Sequence, residues 1–192
     1  MKKAKPDKGE YGYLYGEKKK YTLRIIIYFL IAVAIFLTGL FLNKFSTRNI
    51  FTVAAILVVL PWARAVVGLV TLFPFHQTPK EEHDEVAARV REGLRLYSDL
   101  VITSPEKVMG LQYMVKSTGC ILGIASRENP DAKYIQGYLS KGVHNWCSDY
   151  QVKIYDKREK EAFLRAIPAL SQKELPEKEE ENVCDYLRSL IV

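Results

Sequence analysis

Cysteine is scarce in this chain: Cys120, Cys147 and Cys184 are its only three, and no Cys-x-x-Cys pair occurs. An odd count excludes full intramolecular pairing, and in a domain expected to face a reducing compartment these thiols read as small buried hydrophobes. No glycine-rich phosphate loop and no Gly-x-Ser-x-Gly elbow is present, so neither chemistry is signalled. Histidine is limited to His76, His83 and His144. His144-Asn145-Trp146-Cys147 spaces His144 and Cys147 at i, i+3, which puts a candidate zinc pair on one helix face. A complete site would need Cys120, Cys184 or the distant His83 as well, so no metal and no cofactor is expected. A Cys–His nucleophile drawn from Cys147 or Cys120 with His144 has no identifiable third group to orient it, and no catalytic residue is assigned. His83-Asp84-Glu85 is expected on a solvated helix face.

What the chain has instead is apolar length. Leu23 to Leu42 and Ile50 to Phe75 are long apolar stretches separated only by the polar stub Asn43 to Asn49. Crossing a bilayer core takes about 20 such residues at helical rise, and the first stretch carries no charge after Arg24. Its apolar run exceeds the roughly 7 to 15 residues of a signal-peptide core, and no small-x-small cleavage pattern follows. The expectation is an uncleaved transmembrane hairpin over residues 23–75, with spans at about 23–42 and 50–72, in the cell membrane. Lys and Arg crowd the amino-terminal flank and recur after the second span, while the stub has only Lys44 and Arg48. The positive-inside rule then places both termini in the cytoplasm.

The net charge of +6 invites a nucleic-acid reading, but it is unevenly distributed. Residues 80–192 carry 17 Lys and Arg against 19 Asp and Glu, a balance of −2, whereas residues 1–79 carry 11 against 3, a balance of +8. A nucleic-acid groove in the soluble part would show a basic excess there. The cluster Lys18, Lys19 and Lys20 is read as contact with anionic lipid, and the bilayer is the expected partner. Residues 1–22 form a basic, Tyr-rich cytosolic arm. Its Tyr11-Gly12-Tyr13-Leu14-Tyr15-Gly16 run is expected to lie flexibly in the headgroup layer, with a partner-docking motif as the second reading.

The second span contains Leu60-Pro61-Trp62-Ala63-Arg64. Arg64 is the candidate intramembrane charge, at a cost of about 2.5 to 3.5 kcal/mol at mid-depth, and Pro61 favours a kink. In one reading Arg64 faces a helix interface or a wet cavity and meets an anion or an acidic partner. In the other the true span is shorter or shifted, Arg64 snorkels and Trp62 marks the interface. Both spans lack Asp and Glu, and 26 residues exceed what one span needs, which favours the second reading. Gly39 and Gly68 would permit close helix approach.

Residues 78–192 read as a cytosolic domain with one modest core. Thr78-Pro79-Lys80-Glu81 predicts a capping box opening a helix that continues to about Tyr97. Three β-rich runs follow, at 99–103, 111–116 and 120–125, with a hairpin turn at Ser117-Thr118-Gly119. A helix from Asn129-Pro130 would bury Ile135, Leu139, Val143 and Trp146. Alternation at Tyr150, Val152 and Ile154 predicts a fourth strand. Asp156 and Glu159 cap a short helix stopped by Pro168, and a last helix after Pro176 turns Val183 and Leu187 inward. The acidic run Glu177 to Glu181 is read as that helix's first turn. The fold class is thus a transmembrane helical hairpin followed by a small α/β (α+β) domain with a mixed four-stranded sheet, in the order αβββαβαα.

Helix, three strands, helix, strand is also the element order of restriction-endonuclease-like nucleases. Those enzymes place an acid on the second strand and an acid-x-Lys on the third to hold a metal. Here those strands read Leu111 to Lys116 and Cys120 to Ala125, and the acids are missing, so no catalytic role carries over. With Thr103-Ser104-Pro105-Glu106-Lys107 and Tyr150 to Asp156, the whole layout resembles uncharacterised two-span bacterial membrane proteins with a cytosolic α/β domain, a resemblance that implies no activity. Two expectations follow. The first is a membrane-tethered interaction or regulatory module with a protein partner. The alternative is a membrane-anchored enzyme, a divergent hydrolase or nuclease, without a recognisable motif.

Overall fold

The computed structural model describes residues 6–127 and 131–192. Two long helices, α1 (Tyr13–Leu42) and α2 (Ile50–Leu72), precede α3 (Lys80–Ala87), β1 (Arg95–Thr103), β2 (Val108–Ser117), β3 (Cys120–Ala125), α4 (Asp131–His144), β4 (Gln151–Tyr155), α5 (Lys160–Ala166) and α6 (Glu177–Leu190). Short 3-10 turns flank α5. The chain divides into a hairpin unit, residues 15–74, and a domain made of the described residues up to Leu14 together with Phe75–Val192.

Within the hairpin, α1 and α2 are both long and apolar enough to cross a membrane, and little of either is buried. Their residues cannot bury one another fully, because two antiparallel helices share only a seam. Glycine permits the approach at both ends of that seam: a Cβ on Gly68 would stand 2.5 Å from the Tyr21 ring, and one on Gly39 would overlap Phe51. The stub turns through left-handed Lys44 and Phe45, and Asn49 caps α2 by accepting from the Thr52 N–H at 2.9 Å.

In the domain, the sheet runs β1-β2-β3-β4, antiparallel for the first two pairs and parallel for β3 with β4. The parallel pair needs a crossover, which α4 supplies. Helices cover both faces. One layer buries Leu100, Ile102, Leu111 and Met114 against Ile135 and Leu139 of α4 and Val183 and Leu187 of α6. The other buries Tyr113, Val115 and Ile124 against Val86 of α3 and Phe163 of α5.

Strand alternation breaks once, and at the same level in two strands. Gln112 is an extra residue in the β2–β3 ladder, which is why Leu111 and Met114, three apart, share a layer. Opposite it in β1, Asp99 adopts a left-handed conformation (φ +51°) and Tyr97 and Leu100 likewise share a layer. The two irregularities match, so the β1–β2 register is the same on either side of them.

Several sequence expectations are corrected here. The first domain helix ends at Ala87, and the chain turns through Gly93 (φ +87°) into β1, so Tyr97 is a strand residue. Thr78 does not cap α3, because its hydroxyl is committed to Asp99. Trp146 lies past the end of α4 and is 49% exposed. The Asn129-Pro130 helix start lies outside the described residues. The Asp156/Glu159 capping box is present and opens the 3-10 turn before α5.

Candidate functional site

The polar side chains that the domain brings together lie around the matched irregularity. Thr78 follows the second long helix, and α3 carries His83 one turn later. Ser98 and Asp99 come from β1. Asp99 is a short polar residue of the kind that tolerates a left-handed backbone, and it turns its carboxylate inward.

Asp99 Oδ1 accepts from Thr78 Oγ1 at 2.6 Å and from the Thr78 N–H at 3.1 Å, and Oδ2 lies 3.2 Å from the same N–H. Both residues are buried. Burial pushes the Asp99 carboxyl above its ordinary range, and the two Thr78 hydrogen bonds and the nearby His83 pull against that rise. Next to it, Ser98 Oγ and His83 Nδ1 are 3.0 Å apart. Burial and the Glu82 charge raise the Tyr113 phenol, whose ring is 6.3 Å from the His83 ring.

The amino-terminal arm closes over this cluster. The Ser98 N–H donates to Gly9 O at 2.8 Å, and Tyr11 stacks on His83 with ring centroids 4.3 Å apart. Tyr11 Oη donates to Thr78 O at 2.9 Å. The chain entering α1 and the chain leaving α2 are therefore hydrogen-bonded to each other on the domain, over Asp99. We refer to this arrangement as the clasp. It corrects the expectation of a flexible arm lying on a membrane: Tyr11 belongs to the clasp and Tyr13 packs on the larger core, while Tyr15 is 65% exposed. His83 is likewise half-buried and engaged rather than merely solvated.

No protein-family model, curated protein or solved structure matches this chain.

Apart from His83 and Tyr11, the residues singled out by sequence lie elsewhere. His144 Nε2 is 2.8 Å from Tyr150 O, so it ties the loop after α4, and Cys147 is buried in the larger core, where burial raises its thiol pKa. Among the described residues no three His, Cys, Asp or Glu side chains gather to hold a metal. Lys20 pairs with Glu17, Lys18 Nζ is 3.4 Å from Phe73 O, and Lys19 is exposed. Trp62 lines an apolar groove of about 390 Å3 between α1 and α2, and Arg64 is exposed on α2. Lys116 is buried and ion-paired with Glu180 of α6, and the Tyr150 hydroxyl is 3.0 Å from Glu180 Oε2. A groove of about 780 Å3 and mixed lining runs beside α4 and β4, with Lys133, Gln136, Ser140, Ile154, Asp156 and Glu159 on its walls.

Sequence reasoning gave Tyr11 and Thr78 other roles, in the arm's tyrosine run and as a helix cap, and missed Ser98 and Asp99 as functional residues. One signal for them existed: Asp99 is the sole charge in the run Leu96-Tyr97-Ser98-Asp99-Leu100-Val101-Ile102. An acid inside an otherwise buried strand needs dedicated donors.

Proposed function

We propose that this protein is a membrane-tethered interaction or regulatory module. In this reading α1 and α2 span the cell membrane, both termini are cytoplasmic, and the α/β domain meets a protein partner in the cytosol. Their length, their apolar composition and the side chains they leave exposed support the spanning role, and the Lys and Arg excess of residues 1–79 supports the orientation. The balance of −2 over residues 80–192 disfavours nucleic acid as the partner.

The observation that carries the regulatory reading is the clasp. Here both chain connections to the hairpin are fixed at one point of β1 by Tyr11, Thr78 and Asp99, where the backbone is held at a positive φ. Strained backbone of this kind persists where the surroundings over-determine it, commonly at switches and binding sites. Partner binding on the domain is thereby coupled to the chain segments that lead to the hairpin.

Photo-crosslinking in native membranes tests this. Crosslinking residues placed along the groove at Lys133 and Ser140 should capture one discrete protein, and Tyr11→Phe with Asp99→Ala should change the yield. No captured protein at any exposed position of α4 or α6 would sink the reading.

One observation favours a second reading. Ser98 Oγ and His83 Nδ1, 3.0 Å apart beside a carboxyl, have the elements of an activated nucleophile in a membrane-anchored hydrolase. Gly9 and Tyr11 cover those atoms and Ser98 is 2% exposed, which is why the coupling role ranks first. Labelling of Ser98 by a fluorophosphonate, abolished in Ser98→Ala, would reverse that ranking.

A further inference from the structure

Arg24 and Arg64 lie on different helices, and the seam between the helices fixes their relation. Tyr21 of α1 packs on Gly68 of α2, so these two positions are level. Arg24 is three residues further along α1, a rise of about 4.5 Å, and Arg64 is four residues back along antiparallel α2, a rise of about 6 Å in the same direction. The Gly39–Phe51 contact gives the same register to within two residues, so the two arginines stand within about 3 Å of one depth. The helical repeat also fixes the side. Three residues forward on α1 turn Arg24 about 60° off the seam, and four back on α2 turn Arg64 about 40° off it, toward the same face of the hairpin. Arg24 accordingly packs over the Tyr21 ring, its Cζ 5.8 Å from the centroid.

Neither guanidinium has an acidic partner among the described residues, and α2 contains no Asp or Glu. The one acid of α1, Glu17, is engaged by Lys20. Beyond the arginine level, Ile27, Ile31 and Leu60 fall on the same face and are exposed, suited to acyl chains. From that level to the end of α1 there are 18 residues, 25–42, a rise of about 27 Å, close to one hydrocarbon thickness. The arginines then stand at the headgroup boundary, which also accounts for a charge inside a long apolar run.

We propose that Arg24 and Arg64 together form a binding site for the phosphate of an anionic phospholipid headgroup. This rests on the hairpin spanning a membrane, as proposed above. Two planar forks offer several N–H donors to the phosphate oxygens at a depth where water is sparse, and the lipid supplies the counter-charge the chain lacks. The face on the other side of the seam carries the apolar groove lined by Phe29, Val33, Phe36 and Trp62, which offers no cation.

The test uses the full chain in nanodiscs of phosphatidylcholine and phosphatidylglycerol in equal amounts, released into detergent and weighed by native mass spectrometry. Retained phosphatidylglycerol should exceed phosphatidylcholine, and the excess should fall about fivefold in Arg24→Gln or Arg64→Gln and about thirtyfold in the double variant. Arg24→Lys with Arg64→Lys should keep only part of it, since the charge stays and the fork is lost, and Arg48→Gln, on the stub at the opposite end, should keep all of it. Equal retention of both lipids, or an excess unchanged in the double glutamine variant, overturns the site. Loss of phosphatidylglycerol on adding inorganic phosphate makes it a free-phosphate site and overturns the lipid assignment. Co-elution with the nanodisc is scored separately. A chain that enters the bilayer without lipid preference sinks this inference alone, and one that never enters sinks the membrane reading with it.

Discussion

Thr78 Oγ1 donates to Asp99 Oδ1 at 2.6 Å, joining the residue that follows the hairpin to the one left-handed residue of the sheet. Aspartate there is a compromise. Its oxygens satisfy a buried backbone N–H and a hydroxyl, yet its charge is desolvated.

Asp99→Asn should resolve that compromise. Burial raises the folded-state pKa of Asp99 above its unfolded value, so the folded state binds more protons between the two. The group's stabilisation is fully present below the ordinary carboxylate pKa of about 3.9 and is lost as pH rises through the raised one. Asparagine keeps the acceptor and tolerates the positive φ without the charge. Denaturant midpoints should show the variant gaining on the wild type as pH rises from about 4 through the raised pKa. A difference that does not change with pH would contradict this. Asp99→Ala, which strands both donors, should cost about 2 to 4 kcal/mol.

Tyr11→Phe removes the hydrogen bond to Thr78 O and leaves the ring on His83. The loss should be about 1 kcal/mol and local to the arm. Amide exchange at the Ser98 N–H, which Gly9 accepts, should speed up about fivefold while the α4 core amides are unaffected. Uniform acceleration would mean that the arm unfolds only with the whole domain.

The Lys116–Glu180 pair should respond asymmetrically. Lys116 is 4% exposed and Glu180 24%. Glu180→Ala leaves a buried ammonium unpaired and should cost about 3 to 5 kcal/mol. Lys116→Met leaves a carboxylate that can turn to water and still accept from Tyr150 Oη, so its cost should be clearly smaller. Equal midpoint shifts for the two variants would show that burial of the lysine is not the controlling cost.

Membrane topology is open to direct labelling. On a cysteine-free background, single cysteines at Ser46 and Ser171, both exposed, should react differently with an impermeant thiol reagent in intact cells. Labelling at residue 46 alone fits cytoplasmic termini. Labelling at 171 alone would put the domain outside and overturn the proposed orientation.

Gly68→Val should loosen the hairpin, since even a Cβ there meets the Tyr21 ring at 2.5 Å. Overpacking of this kind costs about 1 to 3 kcal/mol, and Tyr21→Ala should offset part of it. No rescue in the double variant would mean that the contact does not govern the seam.

Local pattern alone determined the two long helices, the Cys120–Ala125 strand, the Asp156/Glu159 capping box and the inward face of α6 at Val183 and Leu187. Each follows from periodicity or from a cap formed by residues within a few positions, and such signals are short-range. Val90, Leu94 and Tyr97 keep helical spacing, yet α3 stops at Ala87, because Gly93 and the ladder Arg95 makes with Lys116 decide otherwise. Thr78 looked like a cap until a carboxylate 21 residues away claimed its hydroxyl. The clasp was decided by tertiary structure alone. Gly9, Tyr11, Thr78, His83 and Ser98 carry no shared spacing, and they meet because β1 lies at the sheet edge with backbone donors free for the arm to satisfy. Likewise, the sequence placed Arg24 and Arg64 in two apolar runs, but only the packing of Tyr21 on Gly68 set them at one depth and on one face, because register between helices is fixed by side chains that touch across the seam.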